Sequence, residues 1–481
     1  MTRQFEGAKN RERLDHPIFD ADGHTVEFWP ALAGYIEDEG IRLDPERPLT
    51  ELGVLPDWSR LSPDERVRRR AVRPPWWTFP AENTLDLATA TLPKLLHERL
   101  DEMGIDLSVI YPSLGLVFMH LENEEYRRAS CRALNRYHAD IFRSYADRLI
   151  PVAVIPMQTP GEALAELDHA VGELGFKAIV LASYAKRSVE ALAAEPRSLE
   201  YASWMDSFGI DSPYDYDPIW KRCLELGVSV ATHSAGMGWG SRRSISSYVY
   251  NHIGNFASAG EALCKSLFLG GVTRRFPALP FAFLEGGVAW AAALYADLIG
   301  HWEKRNGQAV QRYDPERLDR PEFERLLEQY GAELTVRVSP SAGTPGLSGE
   351  VSYAQVAALD EFAACRIERV EDIRELFVES FYFGCEGDDP LVPIAYDTKL
   401  NPLGARLNAL YGSDLGHWDV PDMKNVLAEA YELVDTGRLG AEDFRRFAFE
   451  APSRFYLETN PRFLEGTILE SQAGALLASA D

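Results

Sequence analysis

The chain has 481 residues, 46% hydrophobic and 26% charged, a make-up that forms a buried core and excludes extensive disorder. Its 49 basic and 74 acidic residues leave a net charge of −25, which excludes nucleic acid and anionic membranes as expected partners and points to a small-molecule substrate, with homo-oligomerisation left open. No run approaches the ~18 apolar residues of a membrane span. The N-terminus MTRQFEGAKNRERLDHP lacks a signal-like apolar middle, and five scattered cysteines without CxxC pairs fit reduced thiols, so a cytoplasmic location is expected.

Strand-like and helix-like runs alternate along the chain. PIFDADGH (17–24) reads as a strand ending in polar residues, and a long segment with PERP, LPDW, ERVRRRAVR and PPWW follows. LPKLLHERLDEMG (92–104) reads as a helix closed by Gly104, and LSVIYPS (107–113) as a strand. A long amphipathic helix (123–147), the strand LIPVAVIPM (149–157), a helix (161–175) and the strand FKAIVLASY (176–184) come next. After a polar, aromatic insertion, DPIWKRCLELG (217–227) is a helix and VSVATHS (228–234) a strand. GEALCKSLFLGGVTRRFP is helical, PFAFLEGG (280–287) a strand and 288–305 a helix. A disrupted region of about 70 residues precedes LFVESFYFGCE (376–386), read as the seventh strand, and ALYGSD (409–414), the eighth. Short apolar runs alternating with helices are the signature of parallel βα units. Eight of them predict a distorted (β/α)8 barrel with large insertions, the alternative being an open doubly wound sheet. The whole of 1–481 is then one domain, core about 15–465. Insertions at about 30–90, 185–216 and 306–375 would cap its C-terminal mouth.

Barrel chemistry sits at the C-terminal ends of the strands, so those ends are the candidates. They are Asp22 and His24 on strand one, His233 on strand five, Glu285 on strand six, Glu386 on strand seven and Asp414 on strand eight. His417 lies in the loop beyond. Residues i and i+2 of a strand share a face, so Asp22 and His24 can both point inward. Imidazole and carboxylate groups gathered there form a divalent metal site. Taken singly, Asp414 also suits a helix cap, Asp22 a turn with Gly23, and Glu386 a solvated loop in GCEGDDP. Helix histidines such as His97, His138 and His169 read as structural.

These motifs, FDADGH, ATHSAG, GGVTRRFPALPFAFLEGGVAW and YGSDLGHWD, give the chain a resemblance. It is similar to the amidohydrolase superfamily, in the amidohydrolase-related branch that includes aminocarboxymuconate-semialdehyde decarboxylase-like enzymes. The resemblance implies a distorted TIM barrel with metal at its mouth. It implies that Asp22-x-His24 stands for the family's HxH, with Asp22 replacing the first histidine. His233 matches the strand-five ligand, and Asp414 the strand-eight aspartate that binds metal and handles protons. Glu285 occupies a position where many decarboxylase-like members carry histidine. Strand four has Lys177 only at its start, so a carboxylated-lysine bridge is not expected.

The donor set Asp22, His24, His233, Glu285, Asp414 and Glu386 admits one or two ions, zinc, manganese or iron, with oxygen donors favouring the latter two. Three functions compete. The first is a metal-dependent hydrolase or decarboxylase-like lyase on a small organic substrate, carboxylated or not. In it Asp414 acts as general base and Glu285 or His417 assists proton transfer. The second is a non-heme di-iron monooxygenase acting on a bulky hydrophobic substrate, and the third a non-catalytic binding barrel. His252, Trp239 in GMGWG (236–240) and Trp77 are candidates for substrate contact, and His120 for lining the mouth. Trp76, Phe79, Trp204 and Phe208 would either roof a pocket or anchor insertions. Arg66, Arg68, Arg69, Arg70 and Arg73 read as a solvated helix face or an attractor for an anionic substrate tail.

Overall fold

The computed structural model describes residues 7–478 apart from 45–48, 50–56, 75–81, 193–201, 235–242, 315–316, 335, 337–359 and 418. Its core is a parallel sheet of eight strands: β1 (Phe19–Thr25), β2 (Leu107–Pro112), β3 (Leu149–Ile155), β4 (Ala178–Ala182), β7 (Val230–His233), β8 (Phe281–Phe283), β9 (Phe381–Glu386) and β10 (Asn408–Gly412), in that spatial order. The sheet curls into a barrel. Its seam is stitched past the end of β10, where Asp414 N–H donates to the Asp22 carbonyl and His24 N–H to the Leu415 carbonyl, both at 2.9 Å. β5 (Ala185–Ser188) and β6 (Ser203–Asp206) form a separate antiparallel ribbon inside the 185–216 insertion.

Alternation along each strand divides the core into two layers. Val109 and Tyr111, Val152 and Val154, Ala178 and Val180 pack together with Ala231, Ala282 and Leu410 inside the barrel. Their neighbours Ile110, Ala153, Ile155, Ile179, Leu181, Phe281 and Phe283 pack outward with the surrounding helices. Parallel strands buried on both faces are required to be apolar throughout, which is why their sequences show no alternation.

Helices follow the strands much as their sequence signals dictate. Pro93–Met103 starts on proline and stops at Gly104, whose φ of 78° suits the left-handed cap that glycine adopts most readily. One element differs from expectation. Leu376–Ser380 is not strand but the end of the helix Val370–Ser380, and β9 begins only at Phe381. Asp372 caps that helix by accepting the N–H groups of Glu368 and Arg369, while Ile373, Leu376, Phe377 and Ser380 bury one helical face. The apolar run simply crosses the helix–strand junction. Among the described residues no helix is long and apolar enough to cross a membrane.

Candidate metal centre

Asp22 and His24 owe their position to an irregularity in β1. Asp20 pairs with Ser108 but Gly23 with Ile110, so β1 holds one extra residue there. Such a bulge re-aims the residues after it. His24 thereby pairs with Tyr111 and joins it on the inner side. Asp20, fully buried, fixes the bulge. Its carboxylate accepts from Ser108 Oγ at 2.5 Å, from Ser413 N–H and Oγ at 2.8 Å, and from Asp22 N–H at 3.2 Å. Burial raises the Asp20 carboxyl to about 6, against the pull of those serine bonds.

The other candidates arrive from neighbouring strand ends. His233 closes β7 on the inner side, one residue after Thr232, whose hydroxyl bonds outward to the Ala282 carbonyl. Glu285 lies two residues past β8 with φ of 53°, and Asp414 two past β10 with φ of 48°. Both occupy the left-handed region that non-glycine residues rarely adopt. Asp414 caps no helix; the following turn at Met423–Asn425 is capped by Asp422.

The side chains meet closely. His24 Nε2 lies 3.4 Å from Asp22 Oδ1, 3.2 Å from Glu285 Oε1 and 3.4 Å from Asp414 Oδ1. His233 Nε2 and His417 Nδ1 stand 3.2 and 3.3 Å from the same Glu285 oxygen, and His417 Nδ1 is 2.6 Å from Asp414 Oδ1. Two groups of four donors result, each with ligand atoms within 4.8 Å of one another: Asp22, His24, His233 and Glu285, and His24, Glu285, Asp414 and His417. The chemistry fits an ion. Donors about 2.1 Å from a metal are separated by about 3.0 Å at octahedral and about 3.4 Å at tetrahedral edges. Moreover Asp22 Oδ1, His24 Nε2, His233 Nε2 and Glu285 Oε1 are buried and find no well-formed hydrogen bond among the described residues. Buried polar atoms are otherwise almost always paired.

Electrostatics agree. Burial alone would depress the His24 imidazole, but Asp22 and Glu285 raise it to about 10. Burial likewise opposes ionisation of Glu285, yet His233 first, then His24 and His417, hold it well below the usual carboxylate range. Asp414 is driven well above that range by burial and by Glu285 and Asp419. His24 Nδ1 faces the Pro112 carbonyl at 3.2 Å, so a neutral ring would keep its proton there and offer Nε2 to an ion.

The remaining candidates divide. Glu386 ends β9 but falls outside both donor groups; burial and the charges of Glu285 and Asp419 push its carboxyl well up. His252 reaches the mouth through Phe256, whose ring is edge-on to His252 at 5.5 Å and to His233 at 5.4 Å. His120 packs on Tyr184 at 5.0 Å and is lowered to about 4 by burial. Phe208 is buried against Tyr216, so it anchors its insertion. Lys177 Nζ bonds the Phe463 and Glu465 carbonyls, away from the mouth. Of the arginine run only Arg66, Arg68 and Arg69 lie on the helix Pro63–Arg69, with Arg66 stacked 3.6 Å over Trp58; Arg70 caps the helix end and Arg73, beyond it, bonds the Ser246 carbonyl. Trp76, Trp77, Phe79 and Trp239 lie outside the described residues. Sequence reasoning passed over Asp419, the last residue of YGSDLGHWD, and Ser113 and Glu27, which lie in none of the motifs.

Residues 109–336, just under half the chain, match the family model described as Amidohydrolase. Among solved structures, apo IDCase from Metarhizium anisopliae is 14% identical, covering 94% of this chain and 98% of that one at a TM-score of 0.53. An amidohydrolase from Mycobacterium avium subsp. paratuberculosis K-10 is 16% identical, covering 92% and 100% at 0.48. A dihydroxybenzoic acid decarboxylase from Polaromonas sp. JS666, with bound manganese and 2-nitroresorcinol, is 15% identical, covering 94% and 99% at 0.45. At such identities the likeness is one of fold. Over residues 109–336 the chain is similar to the amidohydrolase family, and its strand ends carry a donor set that fits a metal ion. The comparisons lend no support to the monooxygenase alternative.

Proposed function

We propose that Asp22, His24, His233 and Glu285 hold one divalent ion, and that the enzyme is a hydrolase or decarboxylase-like lyase acting on a small carboxylated organic substrate. The observation that carries this reading is the convergence of orphaned, buried donor atoms from β1, β7 and the turn after β8. Two carboxylates beside two imidazoles make a mixed oxygen–nitrogen set without thiolate, which suits manganese better than a sulfur-rich site would. When bound, the ion supplies Lewis-acid polarisation of a substrate oxygen or an activated water.

Asp414 and His417 handle the proton. At 2.6 Å they act on each other as an acid–base pair in the one-ion site. Burial and the neighbouring Glu285 and Asp419 raise the Asp414 carboxyl, the direction a general acid needs. His252 and Phe256 line the approach and exclude water from it. The single domain of 1–481, with insertions as caps, is part of the same proposal. A second reading concerns the count of ions. Glu285 Oε1 stands within 3.3 Å of three imidazole nitrogens and belongs to both donor groups, a position from which it would bridge two ions.

Metal analysis after stripping and reloading with manganese, zinc or iron tests the proposal. One tightly held ion per chain is expected, with His233→Ala losing most of it while remaining folded. Loaded protein should then release carbon dioxide from hydroxybenzoates or cleave their amides. Two ions per chain would favour the bridged site; full metal retention in His233→Ala would sink the ligand assignment.

A further inference from the structure

The donors of the centre are closed off from solvent: Asp22, His24, His233 and Asp414 are at most 3% exposed, and the Glu285 side chain 5%. An ion or substrate therefore enters only when part of the roof over the mouth moves. One stretch of that roof, 244–252, follows β7 and ends in the helix Tyr248–His252, whose His252 reaches His233 through Phe256. The insertion at 57–73 is seated on the same stretch. Trp58 Nε1 donates to the Ile245 carbonyl at 3.1 Å, Arg73 N–H to the Ser244 carbonyl at 3.0 Å, and the Arg73 guanidinium to the Ser246 carbonyl at 3.1 Å. Helix Pro63–Arg69 buries none of its residues, leaving Trp58 and these polar bonds to seat the insertion there.

Asn251 lies at the middle of this joint and is 2% exposed. Its Oδ1 accepts the Ser244 N–H at 2.6 Å, while Nδ2 donates to the Ser244 carbonyl at 2.9 Å and the Arg73 carbonyl at 3.0 Å. The amide is fully committed, since reversing it would set its oxygen against two carbonyls. Arg73 is thus held at both its N–H and its carbonyl by the far stretch of chain. Aspartate has the same shape but no N–H to give.

We propose that Asn251 is a positioning residue that locks the insertion 57–73 to the stretch 244–252 as one unit, and that the buried centre opens when this unit lifts. The proposal rests on the metal centre proposed for Asp22, His24, His233 and Glu285. A latch raises the barrier to entry and to exit alike, so it slows uptake and release together and leaves affinity unchanged. A residue that orients the donors would change affinity instead. Asn251→Asp withdraws both N–H donors and turns an acceptor toward two carbonyls, so the joint breaks more easily.

The test uses the full-length chain with zinc as the probe. Uptake by stripped protein and release to an excess of a colorimetric chelator are timed by stopped flow. Asn251→Asp should speed both, each by at least ~10-fold, with Kd held within about threefold. Trp58→Phe, which loses the indole N–H but keeps a ring for Arg66 and Arg73, should act in the same direction to a lesser extent. Hydrogen exchange read by mass spectrometry should show 57–73 and 244–252 loosening together in both variants while the barrel strands keep their protection. Unchanged exchange at 57–73 in Asn251→Asp, unchanged rates, or weaker zinc binding without faster uptake would overturn the proposal. Were Asn251→Asp to lose strand protection as well, Trp58→Phe decides on the same readings. A wild type that takes up no zinc would count against the metal centre, and the joint would then stand or fall on the exchange of the two segments.

Discussion

Glu285 and Asp414 hold their carboxylates at the centre from backbone conformations that cost about 1–3 kcal/mol each for a non-glycine residue. Each is also buried beside other acids: Glu285 and Asp419 both raise Asp414, and Glu285 and Asp419 both raise Glu386. Residues chosen for chemistry alone would be expected to weaken the metal-free fold in this way. Asp414→Asn isolates the effect. Asparagine accepts the left-handed conformation more readily than most residues, has nearly the same shape and removes the charge. In chelator-treated protein the variant should be more stable by about 0.5–2 kcal/mol in denaturant unfolding, while turnover by the loaded enzyme falls by ~10²-fold or more. A variant that loses stability without metal would show instead that Asp414 anchors the β10 turn.

At the scale of elements, the centre depends on how closely β1 and β10 approach. Gly412 of β10 faces Asp22, and a Cβ there would come within 2.8 Å of the Asp22 Cβ. Neither atom ends a flexible side chain, so one strand has to move. Gly412→Ala should cost about 1–3 kcal/mol by overpacking and displace Asp22, giving a folded barrel whose manganese affinity falls at least ~10-fold. Isothermal titration beside thermal unfolding separates the two effects; unchanged affinity would exclude Asp22 as a ligand. The same elements show what was legible in the sequence. Asp22, His24, His233, Glu285 and Asp414 stood out because apolar strand runs end in them, and barrel topology brings strand ends together. The bulge that turns His24 inward left no such mark, because it depends on Asp20 reaching Ser108 and Ser413, distant in sequence. Ser113 and Glu27 were hidden for the same reason. Leu376 and Phe377 misled because a buried helix end and a buried strand are equally apolar over five residues.

Across the whole molecule, the donors tie together strands that are otherwise joined only through their neighbours in the barrel. Asp22 and His24 come from β1, His233 from β7 and Glu285 from the turn after β8, almost half the circuit of the sheet away. The seam between β1 and the end of β10 passes directly beside them. A bound ion replaces repulsion between Asp22 and Glu285 with attraction to both, in a chain already carrying a net charge of −25. Metal should therefore stabilise the barrel globally as well as locally. An ion present at a hundredfold excess over its Kd adds about 2.7 kcal/mol if it binds only the folded state. For a chain of this size that is a rise of a few degrees in Tm. Scanning calorimetry with excess manganese against chelator should show the rise in the wild type and not in Glu285→Gln, whose neutral side chain no longer attracts the ion or balances the three imidazoles. Calcium, which takes more oxygen donors at longer distances, should raise Tm less than manganese at equal concentration. Equal shifts with both ions, or a shift that survives Glu285→Gln, would place the stabilising ion among the surface acids and outside this centre.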